Sequence, residues 1–226
     1  ADGEIEAAEA LVRRYLLEHG DHIEGMRLLA QIGMKLDVLD DAELLLEAVL
    51  EQAPDYRPAR YDYAQVLLQR HKHRQAREQI RMLQQAEPDE RAYRITQATL
   101  ATELGECEQA LREYRRLLEE TPDHAELHLS MAHTLKTLGR QQDAIESYRR
   151  AAKLRPAYGD AYWSLANLKT YRFTDEELAS MRAAEAAPRT ALADRVHLCF
   201  ALGKALEDRG EYAESFSYYE RGNALK

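Results

Sequence analysis

Small apolar residues set the rhythm of this chain. Ala8, Ala42, Ala76, Ala110 and Ala144 stand 34 residues apart, and so do Ala30, Ala64, Ala98, Ala132 and Ala166. Four and seven residues after the first column come two large apolar columns. They are Val12, Leu46, Ile80, Tyr114 and Tyr148, and Tyr15, Val49, Leu83, Leu117 and Ala151. Offsets of four and seven lie on one face of an α-helix, so each period holds a helix with a buried stripe. The period reads as two antiparallel helices, and the alanines mark where they touch. A larger side chain there would force the axes apart.

The breakers keep the same step. Pro54, Pro88, Pro122 and Pro156 recur every 34 residues, and Gly20 stops a helix one step earlier. Gly105 and Gly139 mark the turn inside two periods, and Asp37 and His71 hold that place in two others. Asp55, Asp89 and Asp123 follow prolines and suit the start of the next helix. The pattern predicts a lone second helix at 7–18 and full pairs over 23–55, 57–89, 91–123 and 125–157. A fifth pair begins at Asp160 and keeps the pattern to Lys169. There the period breaks. Thr174-Asp175-Glu176-Glu177 reads as a cap and capping box, before a helix Leu178–Ala187 that Pro188 ends. Two last helices follow, Asp194–Asp208 and Tyr212–Ala224, with Gly203 in the role of Ala166 after about three inserted residues. Residues 1–172 are thus expected to be regular repeats: a partial repeat 1–22, full repeats 23–157, and a fifth begun at about 158. Residues 173–226 add an irregular helix and a final repeat-like pair in the same solenoid.

A 34-residue helix–turn–helix period with these columns resembles the tetratricopeptide repeat family. The resemblance implies an all-α, right-handed superhelical solenoid with a concave groove lined by the first helix of each pair. Two columns would face that groove: Arg27, Tyr61, Ile95, Leu129 and Trp163, and four residues later Gln31, Gln65, Thr99, His133 and Asn167. Arg27, Gln31, Tyr61, Gln65, Thr99, His133, Trp163 and Asn167 are the candidate contacts for an extended protein or peptide segment. The alternative is that the groove carries unselected surface residues or abuts another domain. Members that bind the C-terminal carboxylate of chaperones use a Lys and Asn constellation across three repeats. Arg27 and Gln31, Tyr61 and Gln65, Ile95 and Thr99 stand there instead, so a co-chaperone of that type is rejected.

The last third of the chain has a narrower likeness. Ala161-Tyr162-Trp163-Ser164-Leu165-Ala166-Asn167-Leu168-Lys169-Thr170 is its first stretch and Ala201-Leu202-Gly203-Lys204-Ala205-Leu206-Glu207-Asp208 its second. With Gly210-Glu211-Tyr212 and Tyr219-Glu220-Arg221-Gly222-Asn223, they resemble the repeat region of bacterial tetratricopeptide repeat-containing sulfotransferases. The resemblance implies that a catalytic domain with a loop for phosphoadenosine phosphosulfate would follow Lys226. No Gly-x-x-x-x-Gly-Lys-Ser/Thr occurs within the 226 residues, so the expectation is a non-catalytic chain with no cofactor.

Composition narrows the partners. The formal net charge is −9 and the mean hydropathy −0.61, which argues against nucleic acid and against a membrane span. Two cysteines, Cys107 and Cys199, give neither a disulfide framework nor a zinc pattern, and point to a reducing, cytoplasmic setting. His124 and His128 are four apart on a helix, but a third ligand would have to come from His133, which points elsewhere, or from a nearby carboxylate, so no metal is expected. Arg70, Lys72, Arg74, Arg77 and Arg81 form one basic run, while residues 1–56 hold 4 Lys+Arg against 14 Asp+Glu. A solvated helix face, an acidic partner or the acidic segment of a neighbouring copy would each account for that run. The partner first helix of 7–18 would precede Ala1, so Leu11, Val12 and Tyr15 are expected to lie partly uncovered. Phe216, Tyr219 and Leu225 would do the same at the other end, and both ends could support self-association.

Overall fold

The computed structural model describes residues 2–226, apart from the side chain of Asp2, and folds them into α-helices joined by short turns. No strand occurs among the described residues. Two compact units result, one ending at Glu106 and the other running from Cys107 to Lys226. The first contains α1 (Asp2–His19), α2 (Ile23–Lys35), α3 (Leu39–Gln52), α4 (Arg57–Gln69), α5 (His73–Ala86) and α6 (Arg91–Glu103). The second contains α7 (Cys107–Glu120), α8 (Ala125–Thr137), α9 (Gln141–Leu154), α10 (Gly159–Ala166), α11 (Asp175–Ala186), α12 (Leu192–Glu207) and α13 (Tyr212–Ala224).

Inside each unit the alanine columns do what their spacing predicts. Ala30 and Ala42 share one buried cluster, Ala64 and Ala76 another, and Ala132 and Ala144 a third. All six are 0% exposed. Leu46, Ile80, Tyr114 and Tyr148 beside them are buried, as are Val49, Leu83, Leu117 and Ala151. The turns that follow α2, α4, α6 and α8 each use a left-handed residue: Gly105 and Gly139 have φ of 80° and 73°, and Asp37 and His71 follow at 61° and 57°.

Three local expectations change. The helix starts sit one residue beyond the post-proline aspartates, because Tyr56, Glu90 and His124 occupy the caps. Glu90 accepts from Ala92 N at 3.2 Å and His124 Nδ1 from Leu127 N at 3.4 Å, so longer side chains replace Asp in the capping role. The second change is α10, which stops at Ala166 instead of holding to Lys169. Lys169 turns left-handed at φ 56°, and the chain swings to bury Phe173 near Tyr162 and Tyr171. Thr174 then caps α11 in a full capping box with Glu177. Third, only Phe216 of the three C-terminal candidates is exposed, at 67%. Tyr219 lies over Gly203, where an added Cβ would collide with its ring, and Leu225 packs on the core of the second unit.

α1 departs from its columns. Leu11 is 57% and Tyr15 40% exposed, and Val12 is only partly covered. The column-mates of Tyr15, from Val49 to Ala151, are all buried. Leu11, Val12, Tyr15, Gly25 and Leu28 line an open cleft of about 470 Å³ between α1 and α2.

These contacts set a stability test. Ala42 stands 3.5 Å from where a Cβ at Gly33 would lie, so Ala42→Leu is expected to cost ~1–3 kcal/mol through overpacking. Gly159→Ala should be at least as damaging, because its Cβ would run into the Asp194 backbone carbonyl. Urea unfolding should show a lower midpoint at unchanged slope for both. A midpoint equal to the parent's would remove the close-packing argument.

Candidate functional site

In the first unit the first helices of successive pairs, α2, α4 and α6, are stitched by polar side chains. Arg27 Nε donates to Asp62 Oδ2 at 2.7 Å, and Gln31 Nε2 donates to the same oxygen at 2.8 Å. One repeat further on, Gln65 Nε2 donates to Thr96 Oγ1 at 2.9 Å, and the Tyr61 hydroxyl lies 3.3 Å from that oxygen. The two junctions are the same construction 34 residues apart. A residue pair four apart on one helix converges on a single acceptor of the next. Burial works against the Arg27 charge, but the hydrogen bond and attraction to Asp62 outweigh it and raise the guanidinium pKa.

The columns place Arg27, Gln31 and Gln65 on the face expected to contact a ligand, and in the fold their polar ends also have partners within the chain. Thr99 is likewise engaged, with its hydroxyl donating to the Ile95 carbonyl at 3.2 Å. Tyr61 keeps a partly exposed ring, 5.4 Å from that of Tyr93. Tyr56, Tyr61 and Tyr93 line an open cleft of about 510 Å³ at the N-terminal ends of α4 and α6. Neither Tyr56 nor Tyr93 lies in the two predicted columns. Asp62 and Thr96 were missed as well, yet Asp62, Thr96, Ser130 and Ser164 form a polar column one residue after the Tyr61 column. That spacing was the available signal.

The second unit uses other groups on the equivalent faces. His133 Nδ1 hydrogen-bonds the Tyr148 hydroxyl at 2.9 Å, and its Nε2 lies 3.9 Å from Asp160 Oδ2. Ser164 Oγ donates to Asp160 Oδ1 at 3.1 Å. His133 thereby holds the Asp160 carboxyl below its ordinary range, against the opposing effect of burial. Burial pushes the Tyr148 phenol up to about 12. The Trp163 ring stands 5.7 Å from Phe200, and Phe200 stands 6.2 Å from Tyr219, while Lys226 Nζ lies 4.8 Å over Phe200. Asn167 is exposed at the end of α10. Phe200 and Lys204 follow Trp163 and Asn167 by 37 residues, so the step that equates Gly203 with Ala166 extends both columns.

Other candidates have structural work. Arg70 and Lys72 close on the buried Glu43 at 2.5 and 2.7 Å, Arg70 also pairs with Asp40, and Arg77 meets Glu106 at 2.7 Å. Much of the basic run is therefore neutralised within the first unit. His128 Nε2 donates to the Pro122 carbonyl at 2.8 Å, and His124 is a cap. Among the described residues no three His, Cys, Asp or Glu side chains are arranged to hold a metal ion, and no helix is long and apolar enough to cross a membrane.

Comparison with known proteins matches this architecture. A family model described as Tetratricopeptide repeat covers residues 38–100, and a second of the same description covers residues 95–158. Together they span more than half of the chain. No curated protein sequence matches it. Among solved structures, a tetratricopeptide repeat protein from Parabacteroides merdae aligns with a TM-score of 0.71 at 16% identity, over 89% of this chain and 79% of its own. A thermophilic protein of the same repeat type from Thermus thermophilus aligns at 0.64 and 24% identity, over 80% and 99%. MamA from Desulfovibrio magneticus aligns at 0.59 and 15%, over 68% and 86%. At these identities the likeness is one of fold.

Two substitutions test the junctions. Asp62→Ala leaves Arg27 and Gln31 without their shared acceptor and is expected to cost ~1.5–3 kcal/mol, against ~0.5–1.5 kcal/mol for Gln31→Ala. Equal costs would mean that Asp62 does not join them. Asp160→Asn tests the second unit through pH. A carboxyl depressed in the fold adds stability above its unfolded pKa of about 3.9, and that stability is lost as pH falls through the folded value. The gap between variant and parent in denaturant titrations should therefore be open at neutral pH and close on acidification below that range.

Proposed function

Because this chain belongs to the tetratricopeptide repeat family, we propose that it is a non-catalytic scaffold whose first-helix faces dock an extended protein segment. The observation that carries this reading is the open, tyrosine-lined cleft on α4 and α6, with Tyr61 on its wall. Tyrosine presents large amphipathic contact area at little entropic cost, which suits peptide recognition. Arg27, Gln31 and Gln65 act in this reading by fixing the helices that carry the rings. In the second unit Trp163 and His133 are the contacts, with Asn167 at the margin of their face, and Thr99 lies at the margin of the first unit's face. Two unpaired, buried thiols, Cys107 and Cys199, support a cytoplasmic site of action. The uncovered face of α1 supports a further contact there, with a second copy or a flanking segment.

A second reading has one specific support. The four stretches that resemble bacterial repeat-containing sulfotransferases fall on α10, α12 and α13 or the turns beside them, and α12 packs on both other helices. In this reading the second unit abuts a sulfotransferase domain. A coding sequence that continues past Lys226 into a strand, a Gly-rich loop and a helix would support it, and a stop codon would end it. Residues 1–226 alone are expected to give no calorimetric signal with phosphoadenosine phosphosulfate.

The scaffold reading is tested by selecting a displayed random-peptide library on the whole chain. Selected peptides are expected to bind reversibly, and Tyr61→Ala or Trp163→Ala should cost ~1–4 kcal/mol for those that dock on its unit. Failure to recover any specific binder would overturn it.

A further inference from the structure

The cleft on α4 and α6 has a charge as well as a shape. Its walls carry four carboxylates, Asp55, Asp62, Glu87 and Glu90, against two guanidiniums, Arg27 and Arg57. Both arginines are already bound: Arg27 to Asp62, and Arg57 to Glu87. Among the described residues the Glu90 carboxylate receives only the Ala92 amide, and neither it nor that of Asp55 makes an ion pair. The N-terminal ends of α4 and α6 contribute roughly half a positive charge each, which reduces the excess of two carboxylates without cancelling it. The cleft is an anionic site with aromatic walls.

It also contains its own demonstration of what such walls hold. The Arg27 guanidinium lies 5.8 Å from the Tyr56 ring centre while its Nε bonds Asp62. A cation is thus held by a tyrosine face and a carboxylate together. The same pair of groups recurs at the other side of the cleft, where no cation among the described residues lies over the Tyr61 or Tyr93 ring. Tyr61 and Tyr93 stand 5.4 Å apart and inclined at 46°, with Glu90 three residues before Tyr93 on the same rim. We propose that this half of the cleft receives a basic side chain, Lys or Arg, from the extended segment that the scaffold binds. The inference rests on the scaffold reading and adds to it the chemistry of one anchoring residue.

The peptides recovered by library selection supply the test, using the whole chain and fluorescence anisotropy. Peptides that dock on the first unit are expected to carry a Lys or Arg. Replacing that residue by norleucine, which keeps the aliphatic stem and removes the charge, should weaken binding roughly tenfold. Raising the salt should weaken the parent peptide more than the norleucine version. Glu90→Gln should weaken the parent peptide and leave the norleucine version nearly unchanged, whereas Tyr61→Ala should weaken both, and the parent more, because the ring contacts the stem as well as the charge. Glu90→Gln retains an acceptor for the Ala92 amide, and an unchanged melting curve checks that it folds. If first-unit binders lack a basic residue, carry an acidic one at the anchor, or ignore Glu90→Gln, the inference is overturned and the scaffold reading stands. If no peptide binds at all, both fall.

Discussion

Close approach of paired helices at alanine is the constraint on which the rest depends. Ala30 against Ala42, Ala64 against Ala76 and Ala132 against Ala144 leave no exposed surface on any of the six. Only a methyl group permits that spacing, and the spacing brings Leu46, Ile80 or Tyr148 into a closed space where dispersion contacts accumulate. α1 illustrates the dependence. It carries the same columns, yet Tyr15 stays exposed where its column-mates Val49, Leu83, Leu117 and Ala151 are each covered by packed helices. The columns specify which face seeks a partner, and the partner decides how much burial follows.

Packing sets the helix axes, and the polar junctions then fix their rotation about those axes. Asp62 gathers Arg27 and Gln31, and Thr96 gathers Tyr61 and Gln65. Thr96 is buried and its hydroxyl donates to the Ala92 carbonyl at 3.0 Å, so its oxygen accepts from a fixed direction that Gln65 and Tyr61 reach together. This directionality gives a repeat built from alanine and leucine a definite register of its outward rings. In the second unit Asp160, Ser164 and His133 do the same work with different groups, which ties that register to protonation.

The parts of this structure legible in the sequence are those that a strict period dictates. Helix pairing, the left-handed turn at Asp37, His71, Gly105 and Gly139, and the Thr174 capping box all follow from spacing and residue type. The departures occur where two local preferences compete. Asp after Pro is a good cap, but Tyr56, Glu90 and His124 reach the caps one residue later, and the aspartates remain in the turn. α10 could have continued for another turn, but burial of Phe173 required the chain to leave the helix early. The site was legible only in part, for a related reason. A periodic column shows which residues share a face, whereas the partner of each polar end depends on side-chain reach across helices. Arg27 and Gln31 were therefore visible as a pair, and their convergence on Asp62 was not.

Charge follows the same logic. A run from Arg70 to Arg81 in an acidic chain looks like a basic patch. In the fold Arg70 and Lys72 close on Glu43, which is 5% exposed as a residue, so two cations face one buried carboxylate instead of solvent. Arg27 and Arg57 are committed in the same way to Asp62 and Glu87. Internal pairing removes charge of both signs from the surface, so the net charge of −9 is expressed largely by carboxylates that no arginine reaches. Many of these are scattered over helix faces, where water and salt screen them. Asp55 and Glu90 differ in standing beside tyrosine rings at a cleft, where a carboxylate and an aromatic face can act on one cation together.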